Sequence, residues 1–202
     1  MKTTNIGRGI RVAALALSTA AMGFGTAISI TNPGFEADVI PVGTTSNTIT
    51  GWTASGSAST FHPGPAQFSG GAAEGSNVLA VDNGVMVMQT LSATLQPDFE
   101  YTLVVEVGQR ADYGLSGFLI SLDAGGVLLA SSSSPIPAQG SFTPVTVTFL
   151  SQPGDPNLGQ ALSVILATTG NFQAEFDAVA LDGTSLSAAP EPGTWLLLGG
   201  GA

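Results

Sequence analysis

The sequence has no cysteine, which excludes disulfides, thiol catalysis and cysteine-ligated zinc. Charge is scarce: 9% of residues are Asp, Glu, Lys or Arg, against roughly 25% in an ordinary soluble protein. Positive charge is scarcer still, with Lys plus Arg at 4, Asp plus Glu at 14 and a formal net charge of -10. Such a chain cannot neutralise phosphates, so nucleic acid is excluded as a partner, and attraction to an anionic membrane surface fails for the same reason. There is no G-x-S-x-G, no P-loop, no dinucleotide fingerprint and no histidine-based metal motif. Between the ends, no window of twelve residues keeps a 3.6-residue apolar period free of Gly or Pro, which argues against helices. What is present is apolar matter: 44% of the residues are hydrophobic and mean hydropathy is +0.37. That is enough for a core, and 202 residues suit one domain with terminal signals.

Both ends read as addresses. Lys2, Arg8 and Arg11 precede Val12-Ala-Ala-Leu-Ala-Leu17, and small residues follow to Gly25 and Ala27. A positive start, a short apolar stretch and small residues form a secretory signal, expected over 1–27 with cleavage after Ala27. The other end, expected as a sorting tail over 187–202, carries Pro190-Glu191-Pro192 and then Trp195-Leu-Leu-Leu198. It resembles the PEP-CTERM sorting signal, which implies an exosortase as processing partner, membrane contact only through this tail, and a place at the surface, outer envelope or extracellular matrix of a Gram-negative bacterium. The basic cluster that closes that signal in the family is absent here, and the apolar run is short.

The body, 28–186, holds thirteen acids (the 14 less Glu191), one arginine and one histidine. Runs rich in Val, Thr, Leu and aromatics recur at 49–54, 77–81, 85–91, 101–107, 118–123, 127–131, 145–150, 162–167 and 174–181, separated by Gly, Pro, Asn, Asp and Ser. They predict short strands. Asp82-Asn83-Gly84 and Asp123-Ala-Gly-Gly126 are expected to close hairpins, because these residues accept positive φ. So many short strands in one domain predict an all-β fold, a two-sheet sandwich.

The body opens on Thr31-Asn-Pro-Gly-Phe-Glu36, continues with Gly51-Trp52 and closes on Phe176-Asp-Ala-Val-Ala-Leu-Asp182. These motifs resemble the galactose-binding-like jelly rolls, which include many carbohydrate-binding modules. Within that fold, Gly56-Ser-Ala-Ser-Thr-Phe61, Ala66-Gln-Phe68, Gly75-Ser-Asn-Val78, Tyr101-Thr-Leu-Val-Val-Glu-Val-Gly108 with Arg110 and Asp112, and Leu158-Gly-Gln160 resemble the hapalindole-type, or Stig, cyclases.

The candidate site residues follow. Strand periodicity places Asp177 on one face with Val179 and Leu181, hence at the edge of the core or inside it. A sheltered carboxylate needs a cation, donors or a proton. With one arginine for thirteen acids, a calcium ion held by Glu36 and Asp177 is one expectation, and the jelly-roll resemblance implies the same; Asp38 and Asp182 are weaker candidates. The cyclase resemblance implies a rival role for Asp177, as the acid of a rearrangement and cyclisation cascade, with Phe118 as a pocket aromatic; the plain reading of Phe118, and the preferred one, is an ordinary core residue. Ala80 stands where those cyclases present a tyrosine, which weighs against that role. Arg110 reads either as a ligand anchor or as a brace for Asp112. Tyr113 could border a cleft. His62, the one histidine, lacks the partners of a triad.

The sequence alone thus favours a secreted, surface-sorted ligand-binding module, calcium-stabilised, with an extracellular polysaccharide or small molecule as partner. The alternatives are a Stig-cyclase-like enzyme acting on an indole-terpenoid with Asp177 as acid, and a structural envelope or biofilm-matrix protein.

Overall fold

A computed structural model describes residues 25–186. The expected leader 1–27, except for its last three residues, and the Pro190-Glu191-Pro192 tail lie outside the described residues. The elements in chain order are β1 (Thr26–Ala27), β2 (Thr45–Ser46), β3 (Thr53–Ala54), β4 (Ala58–Phe61), β5 (Val78–Val81) and β6 (Met86–Thr94). They continue with β7 (Phe99–Gln109), β8 (Phe118–Ala124), β9 (Val127–Ser132), β10 (Ser141–Leu150), β11 (Ala161–Thr168) and β12 (Ala174–Ser185). One sheet has the order β10-β7-β12-β5-β4-β2, with β1 also on β12; the other is β3-β6-β11-β8-β9. All pairings are antiparallel. This is the expected all-β, two-sheet jelly-roll sandwich.

Period-two alternation builds the core. Leu103, Val105 and Val107 of β7 turn inward, while Val104 and Glu106 do not. They meet Phe118, Ile120 and Leu122 of β8 and Val164 and Leu166 of β11 from the facing sheet. Trp52 is buried beside Phe35, and its indole N–H donates to the Asn32 carbonyl at 3.2 Å, the partner a buried indole needs. The chain ends meet: β1 pairs with Asp182 and Gly183, and the Val179 N–H donates to the Pro33 carbonyl.

Two local expectations fail. Val127 to Ser132 does return on Phe118 to Ala124 as a hairpin, but Asp82-Asn83-Gly84 does not close one. Its flanking strands lie in different sheets, β5 on β4 and β12, and β6 on β3 and β11. The same turn chemistry serves a crossing between layers, because both strands are apolar enough to be claimed by separate partners.

The second failure concerns β12. Ala174 and Phe176 face the core, and so do Val179 and Leu181, three residues on from Phe176 rather than two. The register shifts between Asp177 and Ala180, and Ala178 takes φ of 46°. This bulge reverses the alternation. Asp177 therefore shares its face with Glu175, on the outer side of the sheet, and not with Val179 and Leu181.

A buried carboxyl face on the last strand

The outer face of the seven-stranded sheet is not bare. Phe61, Val78 and Ala80 form a second apolar cluster there, joined by Ala72 and Phe142. The long segment between β4 and β5 folds across it, and Phe68 stacks on Phe142 with ring centroids 4.3 Å apart. Under this cover, Asp177 and Glu175 are 0% and 1% exposed.

Asp177 braces the cover. Its Oδ2 accepts the Glu74 N–H at 2.8 Å and its Oδ1 the Ala178 N–H at 2.7 Å. Burial pushes its pKa up to about 7, against the lowering pull of the backbone N–H groups of Glu74, Ala178 and Ala73. Glu36 holds the next residues of the same loop, its Oε1 accepting the N–H groups of Ser76 and Asn77 at 2.7 and 2.6 Å. Gly75 lies between, at φ of 59°, and a Cβ there would meet the Glu36 carboxyl at 2.5 Å. The two carboxylates singled out from the sequence are thus brought to one loop, 73–77.

Glu175, which sequence reasoning did not single out, is the more confined acid. It pairs across the sheet with Ala80 on one side and Gly108 on the other. Gly108 is required for space, since a Cβ there would stand 2.5 Å from Phe142 Cε1. Glu175 Oε1 is buried without a hydrogen-bond partner in the protein. Burial raises its pKa to about 8; Arg110 pulls it down, while Asp112 and Asp82 push it up. Glu106, opposite Asp177 on β7, is raised by burial as well. The one signal for Glu175 was its position two residues before Asp177, which period two puts on one face. The bulge at Ala178 hid it, because Asp177 had been grouped with the core residues beyond.

Arg110 grips Asp112 through two bonds of 2.9 and 2.8 Å and donates to Gln173 Oε1 at 3.1 Å. The guanidinium pairing holds the Asp112 carboxyl at about 2. Gln173 passes the chain on to Asp82 Oδ1 at 2.7 Å, and Ser57 donates to Asp82 Oδ2. The Arg110 guanidinium also lies 5.1 Å from the Phe61 ring and 5.7 Å from that of Tyr113. Tyr113 is exposed and packs edge-on against Phe172, also exposed. Phe118 stands apart from this group: it is an inter-sheet core residue, edge-on to Phe176 at 6.5 Å. Phe118 and Asp177 therefore lie on opposite sides of the sheet, and the aromatic residues of the outer-face cluster are Phe61 and Phe142 instead. His62 Nδ1 is tied to the Ile40 carbonyl at 2.7 Å.

The oxygens that could take a hard cation lie near Glu36. Asp38 Oδ2 and Asn77 Oδ1 are both buried without partners, and Glu36, Asp38, Ser76 and Asn77 line one small cavity of about 160 Å³. Among the described residues, no three acidic or histidine side chains gather as a metal-binding group. The donors there are two carboxylates and an amide oxygen, ligand types that calcium takes; Asp177, expected with Glu36 as a ligand, is instead bonded to the N–H groups of Glu74 and Ala178 and does not line this cavity.

The fold and this buried face define the class: a jelly-roll sandwich with carboxyls sequestered among aromatic side chains on the outer side of one sheet. Residues 26–182 match the family model HpiC1-like, HpiC1 cyclase, and the chain belongs to that family. The Stig cyclase Fisc from Fischerella sp. TAU, solved with (3Z)-3-(1-methyl-2-pyrrolidinylidene)-3H-indole, is 26% identical with a TM-score of 0.73, covering 80% of this chain and 99% of its own. A cyclase from Fischerella sp. TAU in complex with 4-(1H-indol-3-yl)butan-2-one is 26% identical with a TM-score of 0.71, covering 79% and 98%. TmCBM61, solved with beta-1,4-galactotriose, shares the fold at 14% identity and a TM-score of 0.50, covering 76% and 97%. No curated protein matches the sequence.

These matches overturn the reading of the chain as a surface-sorted ligand-binding module; the cyclase alternative is the one they favour. Ala80 still stands where the resemblance implies a tyrosine, within a domain that matches the family from end to end.

A carboxyl whose folded pKa is raised stabilises the protein fully below its unfolded pKa, and that contribution is lost as pH rises through the folded value. Glu175 moves from 4.5 to about 8 and Asp177 from 3.8 to about 7. Stability should accordingly fall from about pH 4 to pH 8 and level off above. Urea unfolding followed across this range checks the slope, and Glu175→Gln should flatten its upper part.

Proposed function

We propose that this chain is a cyclase of the Stig type, which uses a protonated carboxyl on the outer face of its last strand to start the rearrangement and cyclisation of an indole-bearing terpenoid. The observation that carries the proposal is the pair of buried carboxyls of β12, set among aromatic rings in a chain of a cyclase family. A carboxylic acid in water is ionised at neutral pH; here burial favours the neutral form, as a proton donor requires. The carboxyl O–H bond breaks as a C–H bond forms at an alkene carbon of the substrate. The resulting cation is captured by an indole carbon, making the new C–C bond. Loss of the proton from that carbon restores the indole and returns a proton to the carboxylate. The product is an isomer of the substrate, so no co-reactant is consumed. Aromatic faces of Phe61, Phe142 and Tyr113 suit a planar indole and a passing cation. Such acid catalysis is worth about 10²–10⁴ in rate.

Calcium belongs to the proposal as a brace. Glu36, Asp38 and Asn77 would hold it, and its chemistry there would be to neutralise carboxylates and fix the loop 73–77, at whose base Asp177 also binds. We further propose export, on the N-terminal signal pattern and the Pro190-Glu191-Pro192 motif.

Incubating the purified protein with an indole-isonitrile terpenoid should yield a product of unchanged mass with new ring connectivity, read by mass spectrometry and NMR; complete recovery of substrate would remove the cyclase reading. A chelator in excess should lower the melting temperature by several degrees, roughly the effect of 1–2 kcal/mol, with calcium restoring it. An unmoved melting curve would sink the calcium brace. Expressed in a Gram-negative host, the protein should be recovered from the periplasm or envelope with its leader removed, and retention of the intact chain in the cytoplasm would count against export.

A further inference from the structure

We infer that the protein carries a separate binding site, at the end of the sandwich where β1 joins β12, for a flat neutral aromatic molecule that bears a hydrogen-bond acceptor such as a ketone carbonyl. The inference is independent of the cyclase reading. It starts from a missing side chain. Thr26 of β1, Gly183 of β12 and Tyr101 of β7 pair as one row across three strands, and the middle position is the glycine. Leu181, two residues before it on the same face, is buried in the core, so period two puts the gap on the inward side. A Cβ on Gly183 would stand 3.3 Å from Ile28 Cδ1, 3.4 Å from Phe99 Cδ1 and 3.6 Å from Tyr101 Cε1. The backbone there is not left-handed, so no turn requires the glycine; a glycine inside a strand marks a place kept open for close approach. Ala93 of β6, from the facing sheet, is small as well. These residues line a mostly apolar cavity of about 360 Å³, within the size range of small-molecule sites.

The walls specify the occupant. The rings of Phe99 and Tyr101 are stacked, 5.9 Å between centroids and 30° between planes. Phe99 is half-buried, so a flat ring entering the cavity can extend the stack. Tyr101 is 1% exposed, and its hydroxyl accepts the Gln96 N–H at 2.8 Å. Its O–H donates to no acceptor among the described residues. Gln96 lines the same cavity, which puts that hydroxyl at the cavity wall. A buried hydroxyl with its donor unused is costly, and an acceptor on the occupant completes it. Burial raises the Tyr101 pKa above its ordinary 10.0, so the proton is in place at neutral pH. No acidic or basic side chain lines the cavity, so a charged ligand would be desolvated there without a partner. The site is remote from the carboxyl face. Tyr101 turns inward, whereas Glu175 lies on the outer side opposite Gly108, and the seven residues of β7 from Tyr101 to Gly108 span about 23 Å. Cleavage after Ala27 would remove Thr26 from the wall and leave Ile28, Phe99, Tyr101 and Gly183 in place.

The test titrates 2-acetylnaphthalene and 2-ethylnaphthalene, which share a ring and differ in the carbonyl, into the purified full chain and follows amide and methyl NMR signals. In the wild type both should produce saturable shifts at Ile28, Ala93 and Gly183, and the ketone should bind about fivefold more tightly, the effect of one hydrogen bond. Gly183→Ala places a methyl group in the gap and should weaken both ligands about tenfold or more. Ala93→Leu, which fills the gap from the facing sheet, should do the same. Tyr101→Phe should bind the two ligands alike. The two-ligand comparison needs no variant and is decisive even where a substitution prevents folding. Wild type without saturable shifts at these residues, or with equal affinity for the two ligands, overturns the proposal. A folded Gly183→Ala variant that binds as tightly as wild type overturns it as well.

Discussion

Two carboxylates from opposite ends of the body hold one loop. Glu36 takes the N–H groups of Ser76 and Asn77, and Asp177 takes that of Glu74. Charge-assisted hydrogen bonds from backbone amides to carboxylates are strong and directional. They fix the segment that runs from β4 to β5 across the outer face of the seven-stranded sheet. Without that cover the face would be a wet, acidic surface. With it, Phe61, Phe68 and Phe142 pack over β7 and β12, and Glu175 is shut away from water. The chemistry proposed for the protein depends on this exclusion, because burial is the main cause that raises the pKa of these carboxyls.

The near absence of positive charge gives that arrangement its character. Among the described residues Arg110 is the one Lys or Arg, and it is spent on Asp112 and Gln173. The remaining acids must be solvated, bonded to amides, bound to a cation or neutral. Asp112 is held ionised by its guanidinium, and Asp177 is served by amides. Glu36 and Asp38 line one small cavity with Asn77, and burial raises the pKa of Glu175. One domain thus distributes like groups among four environments, and burial together with the nearest donor decides which acid does what.

Family membership changes how the single departures are weighed. Ala80 in place of a tyrosine looked like the loss of a pocket wall. In the structure Ala80 is the cross-strand partner of Glu175 and is packed in the outer-face cluster with Phe61 and Val78. Phe118, matched to a pocket aromatic on sequence, packs on Phe176 inside the sandwich, where its contribution is to the core. The aromatic side chains of the outer-face cluster, Phe61 and Phe142, come from strands far apart in the chain.

The sequence by itself determined the all-β class, most strand positions, the pairing of 118–124 with 127–132, the burial of Trp52 and the meeting of the first and last segments. Those follow from local rules: β-branched runs, turn residues and an alternation of two. Only the tertiary structure decided which sheet each strand joined, so that Asp82-Asn83-Gly84 became a crossing and not a hairpin. It alone set the bulge at Ala178, which turned Asp177 outward and put Glu175 beside Ala80 and Gly108. The reason is physical: a residue's face follows from a local period only while that period is unbroken, and where it breaks is fixed by contacts with segments distant along the chain.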